Sequence, residues 1–331
     1  MAFVSINEPL SHTRLSKDRM SLLAKVATMY HEQGIRQPEI ADRLHLSQSR
    51  VSRLLKEAQT AGVVRTIVVP PAGTYPNLEE QVRLRYGLSD VVITDIPSED
   101  EYSLLTALGS AGAAYLETTL NGSDLVGISS WSSTLLATVD AMLPRTITTA
   151  SQIVQVIGGV GNSSVQVKAT HLADRLAQVT GGRPVYLPAP GIVSSVAVRD
   201  ALLSDPNLTH LNQVWGELTT VLAGIGTLSP SPLLKSSGNA ISDGEIEQLR
   251  LLGAVGDVCL RFFDADGNLV DSGLNERVVG IDSDRLRAVP RKVGIAGGER
   301  KFDAIRGAAR GRWIDVLITD LNTANRLLAD N

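Results

Sequence analysis

Residues 40–62 read IADRLHLSQSRVSRLLKEAQTAG. Ser47 is placed to cap a helix in which Val51, Leu54, Leu55 and Ala58 fall at i, i+3, i+4 and i+7, so one apolar stripe is complete. The opposite face holds Gln48, Ser49, Arg50, Ser52, Arg53 and Lys56, with no acidic residue before Glu57. Just upstream, RQPEIADRLHL predicts a short helix with Pro38 in its first turn and Ile40, Ala41 and Leu44 on one face. Only a few residues join the two, which is the helix-turn-helix arrangement: small Ala41 where the helices touch, a tight turn, and Val51 as buried anchor. Many such turns carry Gly where this chain has His45; His is among the residues that tolerate the positive φ wanted there.

Upstream of this pair, Ser16 can cap a helix of about four turns in which Leu22, Leu23, Val26, Ala27 and Tyr30 recur at helical spacing, and Gly34 supplies its stop. Three such helices could pack for their own sake. A solvated helix usually mixes its charges, however, and the basic, hydroxyl-rich face of the third helix favours a reader of nucleic acid. In a major groove the N-terminal residues of such a helix meet base edges and basic residues farther along meet phosphates. Gln48, Ser49 and Arg50 are then the candidate readers and Arg53 and Lys56 the candidate clamps, with Gln37, Ser47 and Ser52 completing the candidate DNA-binding set. Downstream, GVVRTIVV predicts a strand belonging to a wing, and the Pro/Gly-rich PPAGTYPN (70–77) a linker.

The charge distribution fits a two-part chain. Up to Thr66 there are 10 Lys/Arg against 6 Asp/Glu; the remainder of the 331 residues holds 21 against 29, which makes the head basic and the tail acidic. Such asymmetry suggests an anionic partner for the head alone. The single cysteine, Cys259, excludes an intramolecular disulfide framework; it reads as a buried small hydrophobe and fits a reducing cytoplasm. The N-terminus lacks a basic start followed by an apolar run, and no segment approaches eighteen apolar residues, so neither secretion nor membrane insertion is expected.

Beyond the linker, short β-branched runs (DVVITDI, DLVGIS, IVQVIGGVG, RPVYLPAP, TTVLAGIG, GDVCLRFFDADG, RKVGIAGG, WIDVLITD) alternate with helical patterns such as YSLLTALGSAGAAYLETTL and HLADRLAQVTGG. This is the α/β rhythm of a mostly parallel sheet covered by helices. In such sheets ligands sit beyond the carboxyl ends of the strands. Four loops there are rich in small residues. GISSWSSTL brings Ser129, Trp131, Ser132, Ser133 and Thr134 to a strand-to-helix turn suited to phosphate, with Trp131 serving either as core or as ligand contact. GGVGNSS with Gly159 and Gly161, and GIGTLSPS with Gly226, let backbone approach a ligand closely; GIAGGERK places Lys301 within one turn of Gly297, where an ammonium pairs with phosphate. None has P-loop or dinucleotide-fingerprint spacing.

In the order IVQVIGGVG, VYLPAP, VLAGIG, LLGAVGDVCLRFFDADG and VGIAGGERKFDAIRGAARGRWIDVLITDLNTANRLL, behind the head QPEIADRLHLSQSRVSRLLKEAQTAGVVR, the chain resembles the SorC family of sugar-binding transcriptional regulators over nearly its whole length. The resemblance implies an N-terminal winged helix-turn-helix domain (1–69), a linker (70–78) and an α/β, Rossmann-like effector and oligomerisation domain (79–331) of the sugar-phosphate isomerase/CoA-transferase-like type. It further implies that phosphate is held by the turn at Ser132–Thr134 and by Lys301, and that Asp257 contacts sugar hydroxyls. The family's turn commonly reads like GISWG-x-TL; GISSWSSTL has an extra residue and Ser in place of Gly, which admits a different effector, including an unphosphorylated polyol.

The expected partners are thus double-stranded operator DNA, a phosphosugar or polyol, and further copies of the chain as a dimer or tetramer, with no cofactor, metal or catalytic residue. The competing reading is a sugar-phosphate isomerase or deaminase with an appended head, chemistry that needs a positioned acid and base. Of the tail's histidines, His171 and His210 both fall in or beside helical stretches rather than after a strand, and Asp257 is the residue left to serve.

Overall fold

In the computed structural model of the chain, residues 16–64, 71–98, 100–160, 163–229, 235 and 241–330 are described, residues 163–169 and 207 by backbone alone. The chain forms two compact units, Met1–Val69 and Pro70–Asn331.

The first unit is helical. Helix α1 (Lys17–Ala27) starts where the Ser16 hydroxyl accepts the Arg19 N–H at 3.3 Å, and it runs into a π-helical turn, Thr28–Glu32, before Gly34 (φ 68°) ends it. The wider turn rotates its residues out of α-helical phase, so Met29 is buried while Tyr30, expected on the apolar face, is 38% exposed. Helices α2 (Gln37–Leu44) and α3 (Gln48–Thr60) come next, and Leu23, Val26, Ile40, Ala41, Val51, Leu54 and Ala58 close one core. The turn between them depends on His45 in the left-handed region (φ 53°, ψ 45°), which lets the Leu46 N–H reach back to the Ala41 carbonyl at 2.8 Å. Arg19 donates to both carboxylate oxygens of Glu57, tying α1 to α3, and this holds the Glu57 carboxyl below its usual range. The wing strand expected at 62–69 lies largely outside the described residues; Gly62–Val64 form a turn and bend.

In the second unit the linker expected over 70–78 is cut short by helix α4 (Pro76–Tyr86), started by Pro76, since proline is pre-set for the first helical turn. Strands β1 (Asp90–Thr94), β2 (Leu125–Ile128), β3 (Gln152–Gln155), β4 (Arg183–Val185), β5 (Thr220–Gly226), β8 (Arg291–Ile295) and β9 (Val316–Asp320) form a parallel path in the order β1-β9-β8-β5-β2-β3-β4. Helices cover both faces: α5 (Glu101–Thr119), α6 (Ser133–Ala141) and α7 (Ser163–Thr180), then α8 (Val196–Leu203), α9 (Pro206–Gly216), α10 (Asp243–Leu251), α11 (Ser283–Ala288), α12 (Phe302–Arg310) and α13 (Leu321–Ala329). Two core clusters result, one around Leu116, Leu135, Ile128 and Ile318, the other around Trp215, Trp313, Phe263 and Val221. Cover on both faces is why the strands read as continuous apolar runs.

GDVCLRFFDADG, read as one strand, is a hairpin: β6 (Ala254–Val258) and β7 (Arg261–Asp264) pair antiparallel, and β6 pairs antiparallel with the end of β5. Cys259 and Leu260 make the turn with φ of 53° and 58°. Two-residue turns of this hand normally advertise themselves with Asn or Gly; two apolar residues there hide the turn inside an apolar run. Both side chains are buried, which compensates for the unfavourable backbone, and burial pushes the Cys259 thiol up to about 12.

Candidate functional site

In the helical unit, Gln48, Ser49, Arg50, Ser52, Arg53 and Lys56 are all exposed along one side of α3, and Gln37 is half-buried at the start of α2. Ser47 is occupied structurally: its Oγ accepts the Arg50 N–H at 3.3 Å and lies 3.1 Å from Ser49 Oγ. Arg53 leans back so that Nε donates to the Ser49 carbonyl at 3.4 Å. Among the described residues Arg50, Arg53 and Lys56 form no ion pair, whereas the acidic residue that ends their run, Glu57, is neutralised by Arg19. The result is a solvated cationic stripe with a carboxamide and hydroxyl groups at its N-terminal end, which can meet phosphates along its length and base edges at its start.

In the α/β unit, the four small-residue loops converge at the carboxyl ends of β8, β5, β2 and β3, the centre of the sheet. After β2, the Ser129 N–H is used up by the Leu222 carbonyl of β5 at 3.2 Å, so that amide is not free. Ser130 Oγ donates to the Ile157 carbonyl at 2.9 Å and the Trp131 indole N–H to the Gly158 carbonyl at 3.3 Å. Trp131 is 9% exposed, so of the two roles open to it the structure favours a buried strut that fastens the β2–α6 turn to the β3 loop. Ser132 then caps α6, its Oγ accepting the Leu135 N–H at 3.2 Å. The amides of Ser133 and Thr134 fall in the first helical turn, ahead of any intrahelical acceptor, where an anion is favoured. Gly159 is buried beside this turn; Gly161 lies outside the described residues.

Close approach explains the glycines of β5: a Cβ on Gly224 would overlap Ser132 Oγ, and one on Gly226 would overlap Asp257 Oδ1. Asp257 thus sits against the end of β5, with Oδ2 accepting the Leu260 N–H at 2.9 Å. Burial pushes its carboxyl up to about 6, against the opposing pull of the Leu260 N–H and the Lys301 charge. Lys301, in a one-turn 3-10 segment (Glu299–Lys301) leading into α12, is held below the usual lysine range by burial, with Asp257 pulling it back. Beside Asp257, Thr227, Leu228, Ile246 and Phe262 line a cavity of about 10 Å³, enough for roughly one water. The arrangement offers a helix start and an ammonium for an anion, and a carboxylate acceptor for hydroxyls.

Sequence reasoning passed over the residue that orders the Gly297 loop. Asp320, buried at the end of β9, accepts the Gly298 N–H at 2.7 Å and the Thr323 hydroxyl at 2.7 Å, and a Cβ on Gly297 would overlap its Oδ2. The signal was present as an acid capping α13, Asp320 with Thr323 three residues on. Gly224, read within GIGTLSPS as letting backbone approach a ligand, makes room for Ser132, and the apolar lining from α10 was unread. His171 and His210 lie in α7 and α9, the former 3.8 Å from Asp140 on the surface.

Comparison with known proteins agrees with both halves. A family described as "Putative sugar-binding domain" matches residues 72–329, and one described as "Winged helix-turn-helix DNA-binding" matches residues 27–65. The chain is 30% identical to the deoxyribonucleoside regulator of Bacillus subtilis (strain 168), covering 96% of this chain and 100% of that one. It is 28% identical to the sorbitol operon regulator of Klebsiella pneumoniae, covering 95% of this chain and 99% of that one. The crystal structure of that full-length regulator, SorC, superposes with a TM-score of 0.70 at 27% identity, over 94% of this chain and 100% of the other.

Proposed function

We propose, proceeding from the fact that this chain belongs to the SorC family of sugar-binding transcriptional regulators, that it controls a carbohydrate or polyol catabolic operon and releases or remodels its hold on the operator when a phosphorylated sugar binds the α/β unit. The observation that carries this is the pairing, in one chain, of an unneutralised cationic α3 face with an anion-and-hydroxyl site at the centre of a parallel sheet. Relatives named for sorbitol, erythritol and deoxyribonucleosides support small polyhydroxylated effectors as a class.

In this reading Gln48, Ser49 and Arg50 read bases while Arg53 and Lys56 clamp phosphates. Phosphate is held by Ser132, Ser133, Thr134 and Lys301, and sugar hydroxyls by Asp257. Trp131, Gly159, Gly226 and Gly297 shape the cradle rather than ligate. This reading makes the chain a sensor rather than an enzyme, in keeping with relatives that are named as regulators. It works in the cytoplasm as a dimer or tetramer, since paired heads multiply the affinity of a small reader; no described helix is long and apolar enough to cross a membrane. A ligand then acts by binding one quaternary arrangement better than another.

The test is gel retardation of the DNA flanking the chain's own gene, at moderate salt, with and without a panel of phosphorylated and free sugars and polyols. Sequence-selective retardation, lost on Arg50→Ala and altered by a phosphosugar, is expected. Retardation unchanged by Arg50→Ala and by every ligand of the panel would refute the assignment.

A further inference from the structure

Three described arginines carry a buried Nε without a hydrogen-bond partner: Arg261, Arg287 and Arg306. For two of them the charge is accounted for. Arg306 pairs with Asp303 and Asp330, and Arg287 lies 4.0 Å over the Trp313 ring. Lys292, the other fully buried cation, sits 2.6 Å from Asp315. Arg261 has neither device. It is 6% exposed, its two terminal nitrogens donate to the backbone carbonyls of Asn275 and Ile281, and among the described residues it forms no ion pair. Carbonyl dipoles orient the guanidinium, and Asp282 nearby offsets only part of its charge without pairing with it.

This side chain lines a cleft of about 360 Å³, bounded by α8, β7, the 269–276 segment and the start of α11, on residues that take no part in the strand-end site. A second arginine, Arg199, lines the same cleft. The acids around it are committed or peripheral. Asp282 caps α11 by accepting the Arg285 N–H at 2.8 Å and pairs with the Arg285 guanidinium; Asp271 and Glu276 are exposed at the rim. Burial holds Arg261 down at about 10, and a bound anion would reverse that pressure.

We propose that this cleft is a second ligand site, in which Arg261 at depth and Arg199 at the edge bind a small oxyanion of the phosphate or carboxylate class. One buried, unpaired and only partly compensated charge calls for one oxyanion group, and the exposed acids at the rim disfavour polyanions. Charge-assisted donors in a fixed fork suit either oxyanion.

The experiment is titration calorimetry on the full chain at constant ionic strength, with inorganic phosphate in one arm and acetate in the other. It is performed on wild type and on Lys301→Ala, Arg199→Gln, Arg261→Lys and Glu276→Gln. Binding of one anion is expected to survive Lys301→Ala, to weaken about tenfold or more in Arg199→Gln and in Arg261→Lys, and to tighten about threefold in Glu276→Gln at low salt. Arg199 is partly exposed and makes no tertiary hydrogen bond among those described, so its variant remains interpretable if Arg261→Lys fails to fold. Whichever anion binds names the class. No binding of either anion, binding unchanged in Arg199→Gln, or binding abolished by Lys301→Ala would overturn the proposal.

Discussion

Replacing Asp257 by Asn should make the protein more stable while impairing ligand response. A carboxyl held at about 6 in the folded chain, against 3.8 for the ordinary group, is a charge that folding disfavours. The gap of roughly 2 pK units corresponds to about 3 kcal/mol at pH values above the folded value. Asparagine keeps an oxygen for the Leu260 N–H and removes that cost, but it also removes the countercharge that Lys301 feels. The folded value already includes the attraction of Lys301, so the net gain is about 3 kcal/mol at pH 7.5. For a unit of this size the melting temperature rises by about 2–4 °C per kcal/mol. The sign follows from the raised value: the cost of the ionised form is present above about pH 6, shrinks as pH falls and vanishes near 3.8. The stabilisation by Asp257→Asn must therefore fade between pH 7.5 and pH 4.5 in parallel thermal melts. A variant that is destabilised at pH 7.5, or equally stabilised at both pH values, would refute the reasoning.

Lys56→Ala should weaken operator binding uniformly across sequences and reduce the salt slope by about one, whereas Arg50→Ala should cost about 1–3 kcal/mol on the cognate site and relax its selectivity, both read by fluorescence anisotropy over a salt series. Ser47→Ala should lower the stability of the helical unit by about 1 kcal/mol in denaturant melts, because the Arg50 N–H loses its side-chain acceptor and keeps only the Ser47 carbonyl. Trp131→Phe should cost about 1 kcal/mol and weaken effector binding by loosening the turn at Ser132, without changing DNA affinity in the ligand-free state. Gly226→Ala should abolish effector response at near-normal secondary structure by circular dichroism, since the added methyl displaces the Asp257 carboxylate.

The helix-turn-helix was legible because its signals are local: a cap at Ser47, an i, i+3, i+4, i+7 stripe, and His45, which takes the left-handed conformation that a Gly would adopt more cheaply. The parallel sheet was legible because double-sided burial leaves apolar runs such as Leu125–Ile128 in β2 and Val316–Ile318 in β9. What escaped was non-local or disguised. The β6–β7 turn is made by Cys259 and Leu260, which carry no turn signal, and its conformation is sustained by burial that only the folded chain supplies. The partner that Gly224 admits, Ser132, and the role of Asp320 toward Gly298 depend on residues distant in sequence that the sheet brings alongside. The serines of GISSWSSTL looked alike in sequence, yet one caps, one binds a carbonyl across to the next loop, and one has its amide consumed by β5.

The π-helical turn at Thr28–Glu32 carries a consequence for how this head can be altered. Such a turn holds one residue more than an α-helical turn needs, and here it closes the helix, with the Gln33 N–H donating to the Thr28 carbonyl at 3.1 Å. Removing a single residue between Thr28 and Glu32 would let the helix revert to ordinary winding. A different residue from Met29 would then fall on the inner face. The head is therefore a place where a frame-preserving codon deletion at a helix end is expected to be survivable.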